Sequence, residues 1–172
     1  MSARQLALCG VLTALAAMLL LLGGMIPAAT FIAPLLAMAV LLPVLEEYGD
    51  KAAGIAYADV AILGLLLAAD RETALVYLFF GWYPIVRPKI AKLPSKVLRT
   101  VVRLAVCNLA ILALYGIVLR FLGLDAEWKG VSVFLNAAML VMGNAVFLMM
   151  DRCLAQLTKL WRRRLRQHFF KR

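Results

Sequence analysis

The sequence has few charged residues for its length and only one histidine. Charged side chains make up 16% of the 172 residues, and the run from Gln5 to Leu45 contains none. With His168 as the single histidine, the chain offers no basis for a zinc site or a Ser-His-Asp arrangement. It also lacks the GxxxxGK[ST] loop that binds nucleotide phosphates. We therefore expect no metal, no cofactor and no enzymatic activity.

Cysteine is equally sparse. Cys9, Cys107 and Cys153 occur singly within apolar runs, with no CxxC pair. This spacing is typical of small packing residues, so we predict neither a disulfide framework nor a metal site.

The sequence is rich in apolar residues. It is 65% hydrophobic, with a mean hydropathy of +0.93, whereas soluble domains are about half apolar. The net charge of +10 could indicate nucleic-acid binding. However, the basic residues are separated by apolar runs of membrane length instead of forming one soluble face. The composition therefore favours a multi-pass protein of the cell membrane that binds no nucleic acid.

The apolar runs divide into six predicted transmembrane helices in a single membrane domain, 1–172. A bilayer core about 30 Å thick requires roughly 20 apolar residues per helix. The first run is twice that length, and Gly23, Gly24 and Pro27 divide it. The predicted helices are 4–23, 30–47, 51–69, 72–86, 100–122 and 131–153, followed by a basic tail at 154–172.

The distribution of basic residues predicts that both ends are cytoplasmic. If the N-terminus lies inside and the six helices alternate, 16 of the 19 basic residues face the cytoplasm. Short cytoplasmic loops are rich in lysine and arginine, so this orientation is favoured. A fourth helix that failed to cross would place the basic stretch Arg87–Arg103 outside. The three basic residues that this topology leaves outside are Arg71, Arg120 and Lys129.

The stretch Arg87–Arg103 is therefore predicted to connect helices four and five on the cytoplasmic side. It carries six basic residues and no acidic one. Near a membrane surface, each basic residue attracts anionic lipid headgroups by about 1 kcal/mol. We expect this stretch and the basic tail to contact anionic lipid headgroups, with docking of a protein partner as the alternative.

Asp59 is the most conspicuous polar residue within a predicted span. It lies about 12 Å along the third helix from Lys51. An ionised carboxylate at that depth needs a partner or takes up a proton. Its role is either a proton or ion relay, a ligand contact, or a structural hydrogen bond to a neighbouring helix through Tyr57 or Asn108.

Polar and aromatic residues in helices four to six suggest a pocket for a small polar ligand that enters from outside. Asn136 and Asn144 lie eight residues apart on the sixth helix, and both could instead form hydrogen bonds between helices. The remaining residues could instead form an ordinary aromatic belt with solvated charges. The candidate ligand-binding residues are Tyr77, Tyr115, Arg120, Trp128, Asn136 and Asn144.

Small residues recur on the first helix. Gly10, Ala14 and Ala17 share one face at a spacing that lets another helix approach closely. The approaching helix could belong to the same chain or to a partner protein.

The segment "RQLALCGVLTALAAML" resembles the first helix of the substrate-binding S component of energy-coupling factor (ECF) vitamin transporters. In that family, two alanines four residues apart follow a basic start, and Gly10 and Ala14 occupy those positions here. Six short helices with both ends inside also resemble the family. The resemblance implies capture of a vitamin or related small molecule outside the cell, held mostly by helices four to six. It also implies that the small-residue face docks on a transmembrane coupling subunit bound to two ATPases.

Two other functions remain open at this point. One is a non-transporting membrane scaffold or lipid-organising protein, in which the basic stretch and the tail do the work. The other is a small proton-coupled transporter that uses Asp59.

Overall fold

A computed structural model describes residues 3–26, 29–122 and 133–165. For Arg4, Tyr115, 117–122, 133–137, Met139 and 164–165 it describes the backbone alone. Within these ranges the chain is helical and has no strand. The elements are α1 Ala3–Gly23, α2 Ile32–Leu67, α3 Arg71–Phe80, α4 Tyr83–Ala91, α5 Lys96–Leu122 and α6 Val133–Leu160, and a π-helical segment, Trp161–Leu165, follows.

Four described helical segments are long and apolar enough to cross a membrane. This confirms the prediction of an all-helical chain with helices of transmembrane length. Six crossings and cytoplasmic ends stay predictions. The four segments are Gln5–Gly23, Ile32–Leu67, Lys96–Leu114 and Leu140–Arg163.

The chain divides into two compact units. One comprises Met1–Lys89 with Leu154–Arg172, and the other is Ile90–Cys153. Each unit has its own internal packing.

In the first unit, α2 reverses direction at Gly49. This residue has φ +82° and ψ −176°, a conformation outside the helical region that only glycine adopts readily. The end of α1 touches both halves of α2, because Gly23 contacts Ala33 while Leu20 contacts Gly64. Residues 33 and 64 would be about 46 Å apart along a straight helix. The two halves, 32–48 and 50–67, are therefore an antiparallel pair, which matches the two helices predicted at 30–47 and 51–69.

The short helices α3 and α4 together lead from one end of this unit to the other. Asp70 lies beside Gly24, at the end where α1 finishes, whereas Lys89 pairs with Asp50 next to the reversal at Gly49. The predicted helix 72–86 is thus two helices with a break at Gly81. A side chain at Gly81 would lie 2.5 Å from the carbonyl oxygen of Tyr77, so the chain is crowded there.

The N-terminal cap of α3 is well defined. The carboxylate of Asp70 accepts hydrogen bonds from the backbone N–H groups of Glu72 and Thr73 and from the Thr73 hydroxyl. The Thr73 hydroxyl is the largest cause that lowers the pKa of Asp70 below its ordinary value. This cap fixes where the chain re-enters a helix after α2.

In the second unit, α5 packs antiparallel to α6. Arg103 pairs with Asp151, Asn108 pairs with Asn144, and Ile111 lies against Gly143. Residue numbers rise along one helix as they fall along the other, which fixes the antiparallel register.

Two helices have bounds that differ from the predicted 100–122 and 131–153. Helix α5 begins at Lys96, directly after Ser95, and α6 continues to Leu160. Neither Asp151 nor Arg152 ends α6, because charged residues end an apolar run without breaking a helix.

Candidate functional site

The structure describes the side chains of two predicted ligand residues, Tyr77 and Asn144. Trp128 lies outside the described residues. Tyr115, Arg120 and Asn136 lie in α5 and α6, but their side chains are outside the described part of the structure.

Tyr77 is fully buried in α3. Its ring lies 5.8 Å from that of Tyr57 on α2, whose hydroxyl donates a hydrogen bond to the carbonyl oxygen of Leu78. The Tyr77 hydroxyl is itself buried and has no hydrogen-bond partner within the described ranges. A buried hydroxyl left unpaired costs about 1–3 kcal/mol, so this atom is a candidate for binding a ligand or a water molecule.

Asn144 joins α6 to α5. Its Nδ2 donates to Oδ1 of Asn108 at 3.1 Å and to the carbonyl oxygen of Leu140 at 2.9 Å. Its own Oδ1 is buried without a partner among the described residues. Asn144 therefore forms the bond between helices that was the alternative interpretation, and it keeps an acceptor available for a ligand's donor.

The predicted docking face on α1 divides into an exposed and a buried part. Gly10 and Ala14 are exposed, and a side chain at Gly10 would meet no other atom within 4 Å. Ala17 is buried together with Ala16. The small residues near the end of α1 thus pack inside the first unit, whereas those near its start present an open surface.

Asp59 lies midway along the second half of α2, and its side chain is exposed. Of the two expected structural partners, Tyr57 instead donates its hydroxyl to the carbonyl oxygen of Leu78, and Asn108 belongs to the second unit, where it bonds to Asn144. Within the described ranges it forms no hydrogen bond or ion pair. A charged carboxylate at the centre of a membrane-spanning helix costs about 2.5–3.5 kcal/mol, so the face that carries it requires an explanation.

Two acidic residues near Gly49 form ion pairs with basic residues of the predicted lipid-binding segments. Glu46 accepts two hydrogen bonds from Arg162, at 2.6 and 3.0 Å. Asp50 pairs with Lys89 at 3.0 Å. The turn at Gly49, α4 and the start of the basic tail therefore meet at one end of the first unit, as expected if all three lie on the same side of a membrane.

Asp151 was not among the functional residues predicted from the sequence. Its carboxylate is buried and lies 2.8 Å from Nη1 of Arg103, a residue assigned from the sequence to the lipid-facing stretch. A signal was present, because Asp151 is the only acidic residue after Glu127. The pair links positions 48 residues apart, which sequence spacing within a single helix cannot reveal.

A small cavity lies beside Tyr57. Its volume is about 10 Å³, the lower limit for one water molecule and far below the size of a ligand pocket. Its lining includes Met38, Leu41, Ala53 and Pro84. It is therefore not the predicted ligand site.

No protein-family model matches the chain, and no similar curated protein or solved structure is found.

Proposed function

We propose that the chain is the substrate-capture subunit of an ATP-driven importer of a vitamin or a related small molecule. It binds the molecule from outside the cell and docks on a transmembrane coupling subunit that works with ATPases. The proposal extends the resemblance of the first helix to S components.

One observation carries the ligand-binding part of the proposal. In the described part of the chain, three buried polar side-chain atoms lack a hydrogen-bond partner, and two of them belong to Tyr77 and Asn144. These are the two predicted ligand residues whose side chains are described. A hydroxyl or an amide oxygen in this state can form a hydrogen bond with a small polar molecule. Tyr77 belongs to the first unit and Asn144 to the second, so each is a separate candidate contact.

The docking part is supported by the exposed Gly10 and Ala14. Helix association in membranes relies on close backbone approach at small residues. Because the buried Ala16 and Ala17 already serve packing within the unit, the open space at Gly10 remains for a partner helix.

The ligand is tested by mass spectrometry of small molecules released from the purified protein. Wild type should release a defined compound, and that compound should raise the melting temperature. Asn144→Leu removes the unpaired oxygen and should weaken binding of that compound. The expected loss is about 2- to 10-fold if the compound's donor is neutral and about 10- to 150-fold if it is charged, since such hydrogen bonds contribute about 0.5–1.5 and 1.5–3 kcal/mol. Arg120→Ala should act similarly if Arg120 pairs with a ligand carboxylate.

Asn108→Leu is the control, because it also removes the bond between α5 and α6 but leaves the Asn144 oxygen in place. If wild type releases nothing above background and no vitamin raises its melting temperature, the capture function is wrong. The scaffold or lipid-organising function then takes first place.

Docking has a separate test. Replacing Gly10 and Ala14 together by leucine adds bulk that lipid accepts but a closely approaching helix does not. Co-purification with a coupling subunit should fall, while the isolated protein keeps its melting temperature. If the double variant unfolds, but its folded fraction still co-purifies with the coupling subunit as the wild type does, this face serves internal packing.

A further inference from the structure

The structure divides the basic stretch Arg87–Arg103 into paired and unpaired residues. Lys89 forms an ion pair with Asp50, and Arg103 forms one with Asp151. Three residues between them form no ion pair with any described carboxylate: Lys92, Lys96 and Arg99, which we call the basic patch. The basic residues of the stretch are therefore not equivalent, although the sequence alone presents them as one group.

The basic patch lies where an apolar segment of transmembrane length begins. Lys96 is the first residue of α5 and of the segment Lys96–Leu114. Lys92 precedes it in the turn between α4 and α5, and Arg99 lies one turn into the helix. The ion-paired Arg103 is about 10 Å farther along the helix than Lys96. The patch is therefore at the depth of the lipid headgroups, whereas Arg103 reaches the apolar layer and has a carboxylate beside it.

Exposed apolar side chains accompany the patch on the first turns of α5. Val97 and Val101 are 73% and 54% exposed. With about 100° between successive residues, they project from the side of the helix roughly opposite Lys96 and Arg99. Apolar side chains that enter the hydrocarbon layer, beside basic side chains whose long stems reach the headgroups, are typical of a helix at a membrane surface. Charge and apolar contact together therefore suit a lipid surface.

The charge of the patch is available to an anion outside the chain. Both lysines of the patch are exposed, and the sequence has no acidic residue between Glu72 and Asp125. We propose that the basic patch binds the headgroup phosphates of anionic lipids such as phosphatidylglycerol, and that Lys89 and Arg103 do not. Near a membrane surface, each basic residue strengthens such binding about fivefold. The binding requires neither the proposed ligand nor the coupling subunit, so the two proposals can fail separately.

Photocross-linking with a labelled lipid tests the proposal. The purified protein is placed in phosphatidylcholine vesicles that contain a small fraction of phosphatidylglycerol with a photoreactive headgroup, and mass spectrometry maps the products. The yield within residues 92–99 should be at least fivefold above that of a photoreactive phosphatidylcholine. The triple variant Lys92→Gln/Lys96→Gln/Arg99→Gln should lower it at least tenfold, since three such residues are lost. Lys92→Arg/Lys96→Arg retains the charge and should retain the yield.

Lys89→Gln is the matched control, because Lys89 is an exposed lysine of the same stretch whose charge is already paired. It should leave the yield within about twofold of the wild type. The proposal is overturned if the two lipids give equal yields, or if the triple variant loses no more than Lys89→Gln.

Carbodiimide coupling in native membranes tests whether a protein covers the patch instead. The reagent joins lysine amines to carboxylates in contact with them, so Lys89 should couple to Asp50 and serve as the internal standard. Lys92 and Lys96 should give no comparable product. A product that joins either lysine to a carboxylate of another protein, of a second copy or of this chain itself would overturn the proposal.

Discussion

Replacement of Asp151 by leucine should strongly destabilise the α5–α6 pair. The carboxylate is almost completely buried, with 5% of its side chain exposed, and Arg103 has 21% of its side chain exposed. Removing one partner of a buried ion pair leaves an uncompensated charge and costs about 3–5 kcal/mol. Arg103 is affected further, because its Nε is already buried without a partner in the described structure.

The assay is thermal unfolding of the purified protein in detergent. For a chain of this length, each kcal/mol shifts the melting temperature by about 2–4 °C, so Asp151→Leu should lower it by about 6–20 °C. The double variant Arg103→Leu/Asp151→Leu should recover most of this loss, since replacing a whole buried pair by apolar residues is often neutral or stabilising.

The exposed pair of Lys89 and Asp50 serves as the matched control. Its side chains are 61% and 49% exposed, so Lys89→Met should cost at most about 1 kcal/mol, and less in high salt. The reasoning fails if Asp151→Leu is no more destabilising than Lys89→Met. It also fails if the double variant loses as much stability as the two single variants added together.

Three further predictions concern the turns and the topology. Gly49→Ala should destabilise by about 1–3 kcal/mol in thermal unfolding because of the positive φ, whereas Gly54→Ala, in open helical space, should stabilise by up to about 1 kcal/mol. Because the pKa of Asp70 is lowered, its contribution to stability is present above its ordinary pKa of about 3.9 and is lost as pH falls through the lowered value. Lowering the pH from 5 to 2 should therefore destabilise the wild type more than the Asp70→Asn variant. Equal dependence of the two melting temperatures on pH would contradict this. In a cysteine-free background, a cysteine at Ser95 should resist an impermeant outside label while one at Ala126 reacts; labelling of Ser95 would exclude six crossings with both ends inside.

The sequence predicted helices well where apolar length alone determines them. The predicted first helix, 4–23, differs from α1 by one residue at its start, and the division of α2 was expected from the polar residues around Gly49. The break at Gly81 was not expected. A side chain at this position would meet the ring of Tyr57 and the carbonyl oxygen of Tyr77. Such contacts depend on how the helices pack, and the hydropathy of the sequence does not predict them.

The polar contacts were harder to predict than the helices. Asn108 and Asn144 were recognised individually, but their partnership requires the register of α5 on α6. Arg103 was assigned to lipid headgroups as part of the basic stretch Arg87–Arg103. Its actual partner, Asp151, lies on another helix, where an isolated acidic residue beside Arg152 resembles an ordinary membrane boundary.

The acidic residues of the described chain differ in whether the chain itself supplies a basic partner. Near the Gly49 end, Glu46 and Asp50 find cations on α4 and the π-helical segment. Within the α5–α6 pair, Asp151 finds Arg103. Asp59 lies deepest between the ends of its segment and has no such contact in the described residues. Because the cost of an unpaired charge increases with depth, the residue that most needs a partner is the one left without one.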